Sequence, residues 1–386
     1  MYLTKEEEMV LEGEYGYALQ KAMEILVALG EIYDADRLIP IKSAQVAGVS
    51  YKNIGDAGIE FLEDFVNTGA RVSVYTTLNP AGIGDEGFME KQKRVLELYR
   101  SMGVETTSTC TPYYGANLPK FGDHLAWSES SAVSFANSII GARTNREGGP
   151  SSLAAAIVGK TPNYGLHLDE NRRATVVVDV GAEVRTFVDY AALGYHLGRT
   201  LGNDVPYFKG LKPERTEFLK EMGAAMAASG SIALYHVEGE TPEYRQVVVD
   251  KLETISVERS DIRAVKEAFS DDWSEIDMVL VGCPHASLPE VKEIAELLRL
   301  RGRPLRIPLF ITASRAVKAL ADSLGYTEVI ERYNGWILVD ACFVVSPVRG
   351  WYNGIATNSG KSAFYFRSFG FSVRLDDVEK LIMESP

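Results

Sequence analysis

The sequence predicts an α/β protein with mostly parallel sheets, and three observations carry that expectation. Short β-branched or apolar runs alternate with longer amphipathic stretches along the chain, the signature of strands joined by crossover helices. Helix-start chemistry marks two of the stretches, a capping box at Thr4–Glu7 and serine-rich caps on Ser128–Ile140. Apolar residues make up 46% and charged residues 24% of the 386 positions, as in an ordinary soluble globular protein with room for two or three lobes.

Taken in order, Thr4-Lys-Glu-Glu7 is a capping box that opens a first helix, and Tyr17–Leu29 continues as an amphipathic one. Leu38–Ala44 reads as a strand running into the small-residue loop Ala47-Gly48-Val49-Ser50. Gly55–Thr68 is helical, Arg71–Thr76 a strand, and Asn79-Pro80-Ala81-Gly82 a turn by its chemistry. Helix Glu86–Met102 leads to strand Val104–Ser108, and Ser128–Ile140 is a helix followed by the loop 141–149. Ala174–Val180 is a β-branched strand and Val184–Leu201 a helix, after which Gly202–Pro213 reads as a connection. Alternation then resumes: helix Glu214–Ser229, strand Ile232–His236, helix Asp261–Phe269, strand Met278–Val281, helix Leu288–Arg301, strand Ile307–Ile311, helix Ser314–Leu324 and strand Trp336–Val339. There is no internal repeat or low-complexity segment. The expected division is an N-terminal lobe, 1–205, and a C-terminal lobe, 206–386.

Composition excludes several classes. A formal net charge of −13 disfavours non-specific binding to nucleic acid or an anionic membrane, so an anionic substrate would rely on local groups. No apolar run is long enough for a membrane-spanning helix. Lys5, Glu6, Glu7 and Glu8 are wrong for a secretory leader. The chain has only three cysteines, which fits a reducing compartment and a cytoplasmic location.

Those cysteines, Cys110, Cys283 and Cys342, each lie just past a run read as a strand. In parallel α/β sheets, ligands gather at the carboxyl ends of strands, so three thiols there could converge in a crevice between the lobes. Three thiolates suit a metal or an iron–sulfur cluster with one position left open. Spacing alone does not separate this reading from three buried structural thiols, because no CxxC pair is present. Zinc would call for a fourth ligand such as His285 or His124.

Other motifs are weaker. Gly354-Ile-Ala-Thr-Asn-Ser-Gly360-Lys361-Ser362 resembles a phosphate loop but has one residue too many between its glycines and follows no clear strand. Its glycine-started helix and Lys361 still suit an anion. Gly82-Ile-Gly84-Asp-Glu-Gly87 matches GxGxxG, yet Asp85 and Glu86 would repel a pyrophosphate. Gly48-Val49-Ser50 offers backbone N–H groups, and Thr144-Asn145-Arg146-Glu147 suits a carboxylate clamp or a solvated loop.

The stretches Ser43–Ser50, Arg143–Pro150, Gly159–His167 and Thr357–Ser362, in this order along nearly the whole chain, resemble the aconitase X family. The resemblance implies aconitase-like lobes and a hydro-lyase. It implies an iron–sulfur cluster on Cys110, Cys283 and Cys342, of the 4Fe–4S kind in archaeal members. Those members dehydrate (R)-5-phosphomevalonate to trans-anhydromevalonate 5-phosphate on a modified mevalonate route to isoprenoids, whereas fused relatives dehydrate hydroxyproline. Candidate substrate contacts are Gly48, Val49, Ser50, Asn79, Pro80, Glu129, Ser130, Asn145, Arg146 and Lys361. The family's serine base sits on a smaller swivelling domain. The chain ends at Pro386, so the base is expected from a separate small subunit, and no catalytic base is assigned here. A hydroxyproline dehydratase, an iron–sulfur sensor and a nucleotide enzyme at the Gly354–Ser362 loop are the competing readings.

Overall fold

The structure is a computed structural model that describes residues 1–246 and 251–386. It forms two compact units: Met1–Arg173 with Val345–Pro347, and Ala174–Val344 with Val348–Pro386.

The first unit runs α1 (Lys5–Leu11), α2 (Tyr17–Ile32), β1 (Leu38–Pro40), β2 (Ser43–Val46), α3 (Tyr51–Asn67), β3 (Tyr75–Leu78), α4 (Glu86–Ser101), β4 (Glu105–Ser108), β5 (Leu125–Trp127), α5 (Ser130–Phe135), α6 (Gly149–Val158) and β6 (Lys160–Pro162). Four strands make a parallel sheet in the order β4-β3-β2-β5, and β1 pairs antiparallel with β6. Leu26, Phe65, Leu78, Val95 and Leu98 lie in its core. The capping box forms as expected: the Thr4 N–H donates to Glu7 at 2.8 Å and the Glu7 N–H to the Thr4 hydroxyl at 3.3 Å.

Several elements differ from the sequence reading: the helix expected from Gly55 is preceded by a turn from Tyr51, and β5, α6 and β6 were not expected. The single strand expected at Leu38–Ala44 is two, because Ile41 N–H turns to Gly159 O and Lys42 N–H to His124 O, so the chain changes partners after Pro40. The strand expected at Arg71–Thr76 lies at Tyr75–Leu78; Val72 and Ser73 instead donate to Met102 O and Ala156 O. The helix expected from Ser128 starts at Ser130 and widens into a π-helical turn over Ala136–Ile140. Within that turn Asn137 exchanges hydrogen bonds with the Thr144 backbone (2.9 and 3.0 Å) and accepts from the buried Arg172. A side chain committed to a loop in this way accompanies the local departure from α-helical geometry.

His124 and His167 meet Nδ1 to Nδ1 at 2.9 Å. Burial lowers both rings, and His167, which also faces His124, Arg172 and Arg143, falls to about 3. The unfolded chain protonates such rings near pH 6.5, so their contribution to stability is full above about pH 6.5 and is lost as pH falls towards the folded value. A His167→Gln variant is therefore expected to show a flatter decline of melting temperature between pH 7 and pH 5 than the wild type. Identical slopes would refute this.

The second unit runs β7 (Val176–Val180), α7 (Phe187–Leu201), β8 (Pro206–Lys209), α8 (Thr216–Gly230), β9 (His236–Val237), β10 (Glu253–Val257), α9 (Arg259–Ala268), β11 (Met278–Ala286), α10 (Leu288–Arg301), β12 (Leu309–Ala313), α11 (Arg315–Ser323), α12 (Tyr326–Arg332), β13 (Gly335–Val339), β14 (Gly354–Thr357), α13 (Gly360–Ser368), β15 (Ser372–Leu375) and α14 (Val378–Met383). It holds two parallel sheets, β10-β7-β8-β9 and β13-β12-β11-β14-β15. Helices α7 and α8 cross at backbone contact: a Cβ on Gly194 would lie 2.3 Å from Met222 O, and one on Gly230 only 1.8 Å from Gly198 O.

Again the differences are instructive. Gly202–Pro213 contains β8. The strand expected at Ile232–His236 shrinks to His236–Val237: Ile232, Leu234 and Tyr235 are buried but lie outside the ladder. The division after Arg173 falls ahead of the expected 205/206 boundary, because β7 pairs with both β8 and β10 and so joins the second unit. Among the described residues no helix is long and apolar enough to cross a membrane.

Candidate functional site

In the first unit the carboxyl ends of β2, β3, β4 and β5 lead directly into Gly48-Val49-Ser50, Asn79-Pro80, Cys110 and Glu129-Ser130. One parallel sheet edge thus carries eight of the residues singled out in the sequence. Asn79 and Glu129 meet: the amide donates to Glu129 Oε2 at 2.7 Å, while Glu129 Oε1 takes the Ser131 N–H and the Ser130 and Ser131 hydroxyls at 3.0–3.4 Å. Gly48 has φ 74, in the left-handed region, and Val49 is buried. Ser50 caps α3 through the Lys52 N–H and donates its own proton to Val345 O at 2.6 Å. Cys110 is buried, next to Thr109, whose carbonyl accepts the Gln45 amide at 2.8 Å.

The loop before α6 lies against this edge. A Cβ on Gly149 would stand 2.6 Å from Ala47 O, so only glycine allows the approach. Asn145 is committed to the loop itself, donating to Tyr164 O at 3.0 Å and accepting the Leu166 N–H at 2.8 Å. Arg146 is exposed. Glu147 is buried, which raises its carboxyl, and it accepts from Ser151 at 2.5 Å.

In the second unit Cys283, Cys342 and the Lys361 helix stand at the carboxyl end of the five-stranded sheet. Cys283 lies inside β11, where pairing with β12 breaks between Val281 and Ala286. Gly282 has φ 95, and the Cys283–Pro284 peptide is cis. Cys342 follows β13 by three residues, beyond Asp340 at φ 60. The two cysteine segments are tied together: His285 Nε2 lies 3.1 Å from Ala341 O, which fixes the proton on Nε2. Lys361 occupies the first turn of α13 and is buried. The helix follows β14 after two residues, so the strand that the sequence reading did not find before this loop is present.

Several supporting residues were missed from the sequence. Gln92, buried on α4, donates to Val49 O at 2.9 Å and accepts the Tyr51 and Gly82 N–H groups at 3.1 Å, fixing the Gly48–Ser50 loop. On α8, Lys220 pairs with Glu290 at 2.6 Å and donates to His285 O at 3.3 Å, and Glu217 accepts from Ser287 at 2.8 Å. Glu221 accepts the Gly360 N–H at 2.7 Å. Their signal was legible: Glu217, Lys220 and Glu221 share one face of an otherwise alanine- and methionine-rich helix.

Comparison with known proteins places this arrangement. Models of the aconitase X first, second and third domains match residues 1–170, 174–267 and 276–385. The chain belongs to the aconitase X family. Within it, the chain is 84% identical to the phosphomevalonate dehydratase large subunit of Thermococcus kodakarensis over 100% of both chains, and 50% identical to that of Methanocaldococcus jannaschii over 99% of each. Identity to the cis-3-hydroxy-L-proline dehydratase of Hypocrea jecorina is 31%, over 94% of this chain and 65% of that one. The crystal structure of Thermococcus kodakaraensis aconitase X in its holo-form superposes with a TM-score of 0.99 at 84% identity, covering both chains fully. The α/β architecture with mostly parallel sheets is thus the aconitase X fold, and the hydroxyproline-directed relative is the more distant one.

Proposed function

We propose that this chain is the large subunit of a phosphomevalonate dehydratase, a hydro-lyase that converts (R)-5-phosphomevalonate to trans-anhydromevalonate 5-phosphate in a modified mevalonate pathway. The carrying observation is the 84% identity, over the whole of both chains, to a relative of that description. Its partner is a small subunit bearing the swivelling domain and the base, and the setting is cytoplasmic.

Cys110, Cys283 and Cys342 would hold an iron–sulfur cluster of the 4Fe–4S kind. Among the described residues no three His, Cys, Asp or Glu side chains are gathered as a ready metal site, so the fit rests on donor chemistry. That chemistry suits the group. None of the three thiols is in a disulfide, and each stands at a carboxyl end of a parallel sheet. When bound, the cluster supplies a Lewis-acidic iron that makes the substrate's hydroxyl a better leaving group.

The chain's own residues bind and orient. The Gly48–Ser50 loop and the single turn that follows it, which breaks from the rest of α3 at Gly55, offer backbone N–H groups, and Lys361 sits at the start of α13; each suits one of the two acidic ends of the substrate. Arg146 adds an exposed guanidinium. The Asn79–Glu129 pair and Ser130 set a polar wall beside Pro80. Asn145 acts by fixing the loop that carries Arg146. Charge developing beside the substrate carboxylate during proton loss is met by these N–H and cationic groups.

Anaerobic co-purification with the small subunit, iron and sulfide analysis, and assay with 5-phosphomevalonate test the reading. About four irons and four sulfides per chain, with loss of water, are expected. Replacing any one of the three cysteines by alanine should remove the iron. Water loss only from hydroxyproline, or iron retained in all three variants, would overturn it.

A further inference from the structure

We infer that Glu221 is a positioning residue whose buried carboxyl locks the start of α13, with Lys361, to the Cys283 turn through the Ser359 hydroxyl. The inference rests on the proposed roles of Cys283 and Lys361 and deepens them.

The geometry is a short relay within the second unit. Glu221 lies on α8, fully enclosed (1% exposed), and its Oε1 accepts the Gly360 N–H at 2.7 Å. Its carboxyl also bonds the Ser359 side chain. Ser359 Oγ in turn donates to the backbone carbonyl of Cys283 and accepts the Ser362 N–H at 3.1 Å, capping α13. One hydroxyl therefore joins the cysteine turn to the lysine helix, and one carboxyl holds that hydroxyl. Serine has a single proton, and it is given to Cys283 O. Burial pushes the Glu221 carboxyl up to about 8, against the Gly360 N–H and the Ser359 contact, which both pull it down.

The site is shaped to admit no substitute. A Cβ on Gly360 would stand 2.7 Å from Ala191 O and 3.1 Å from the Ala225 methyl, so α13 starts directly against α7 and α8. That close seat brings the Gly360 N–H within reach of Glu221. Lys220, one residue away, is paired with Glu290 and donates to His285 O, which holds the same turn from its other side. An enclosed network of this kind fixes a loop only while every member is satisfied.

The test uses alkylation of the full-length, iron-free chain, read cysteine by cysteine by mass spectrometry, with Cys110 as internal reference. Glu221→Ala is expected to speed Cys283 alkylation about tenfold, as expected for loss of a buried hydrogen bond that holds a loop closed, while Cys110 is unchanged. Glu221→Gln retains an acceptor for the Gly360 N–H and a polar amide beside Ser359, so it should stay within about twofold of the wild type. Ser359→Ala should reproduce the Glu221→Ala result, and it decides the matter if Glu221→Ala does not fold. Unchanged Cys283 reactivity in the folded variant, or equal acceleration at all three cysteines, would overturn the relay. Because the readout needs no iron, failure of the iron–sulfur reading leaves this result separately interpretable.

Discussion

Lys220→Met is expected to destabilise the protein by about 3–5 kcal/mol, as removal of one partner from a buried ion pair does. Lys220 and Glu290 are almost wholly enclosed, with side chains 1% and 7% exposed, and their separation is 2.6 Å. Without the ammonium, the Glu290 carboxylate is left in a low-dielectric site beside Glu217 and Glu221, still accepting the Ser287 N–H. His285 O loses a donor in the same step. Equilibrium denaturation of the single and double variants checks this. Lys220→Met with Glu290→Leu should recover most of the loss, because the desolvation cost of both charges disappears together. A single-variant cost below about 1 kcal/mol would mean that the pair is solvated, as surface pairs are.

The second large effect is expected at Gly282→Ala. Gly282 has φ 95, and an added Cβ would lie 2.3 Å from the Thr312 carbonyl oxygen, a backbone atom of the neighbouring β12. Thr312 Oγ1 also donates to Gly282 O, which leaves the turn no room to move away. Strain and overpacking together should cost about 3 kcal/mol or more. Gly302→Ala is the control: its φ is 71, but nothing lies within 4 Å of the added methyl. It should cost about 1–2 kcal/mol, the left-handed backbone term alone. Equal losses at both positions would show that Gly282 is needed only for its left-handed backbone and that the β11–β12 contact adds nothing.

Much of the architecture was legible because it is locally encoded. The Thr4–Glu7 box forms from four adjacent residues, and the runs before Cys110 and Cys342 are strands. The run before Cys283 is also a strand, although it continues through the cysteine to Ala286. Asn79 and Glu129, fifty residues apart, meet at one parallel edge because β5 ends just ahead of Glu129, a strand the sequence reading did not find. Burial was misread where hydrophobicity and pairing part company. Ile232–Tyr235 is as apolar as a core strand but contributes nothing to the ladder. Pro206–Lys209 hid as a strand among turn residues. The glycine-rich run at Gly354 masked β14, whose close approach to Glu275 leaves no space for a Cβ.

By itself, then, the sequence determined the α/β class, the ordinary helix caps, the cysteine-bearing strand ends and the family, since periodicity, capping and ordered motifs are properties of neighbouring residues. Tertiary structure alone decided which polar groups hold those strand ends. Gln92 reaches Val49, Lys220 reaches Glu290 and His285, and Ser359 reaches Cys283 across separations that no local pattern encodes. The reason is energetic: a buried polar side chain must find a partner wherever the fold places one, and that partner is fixed by packing rather than by distance along the chain.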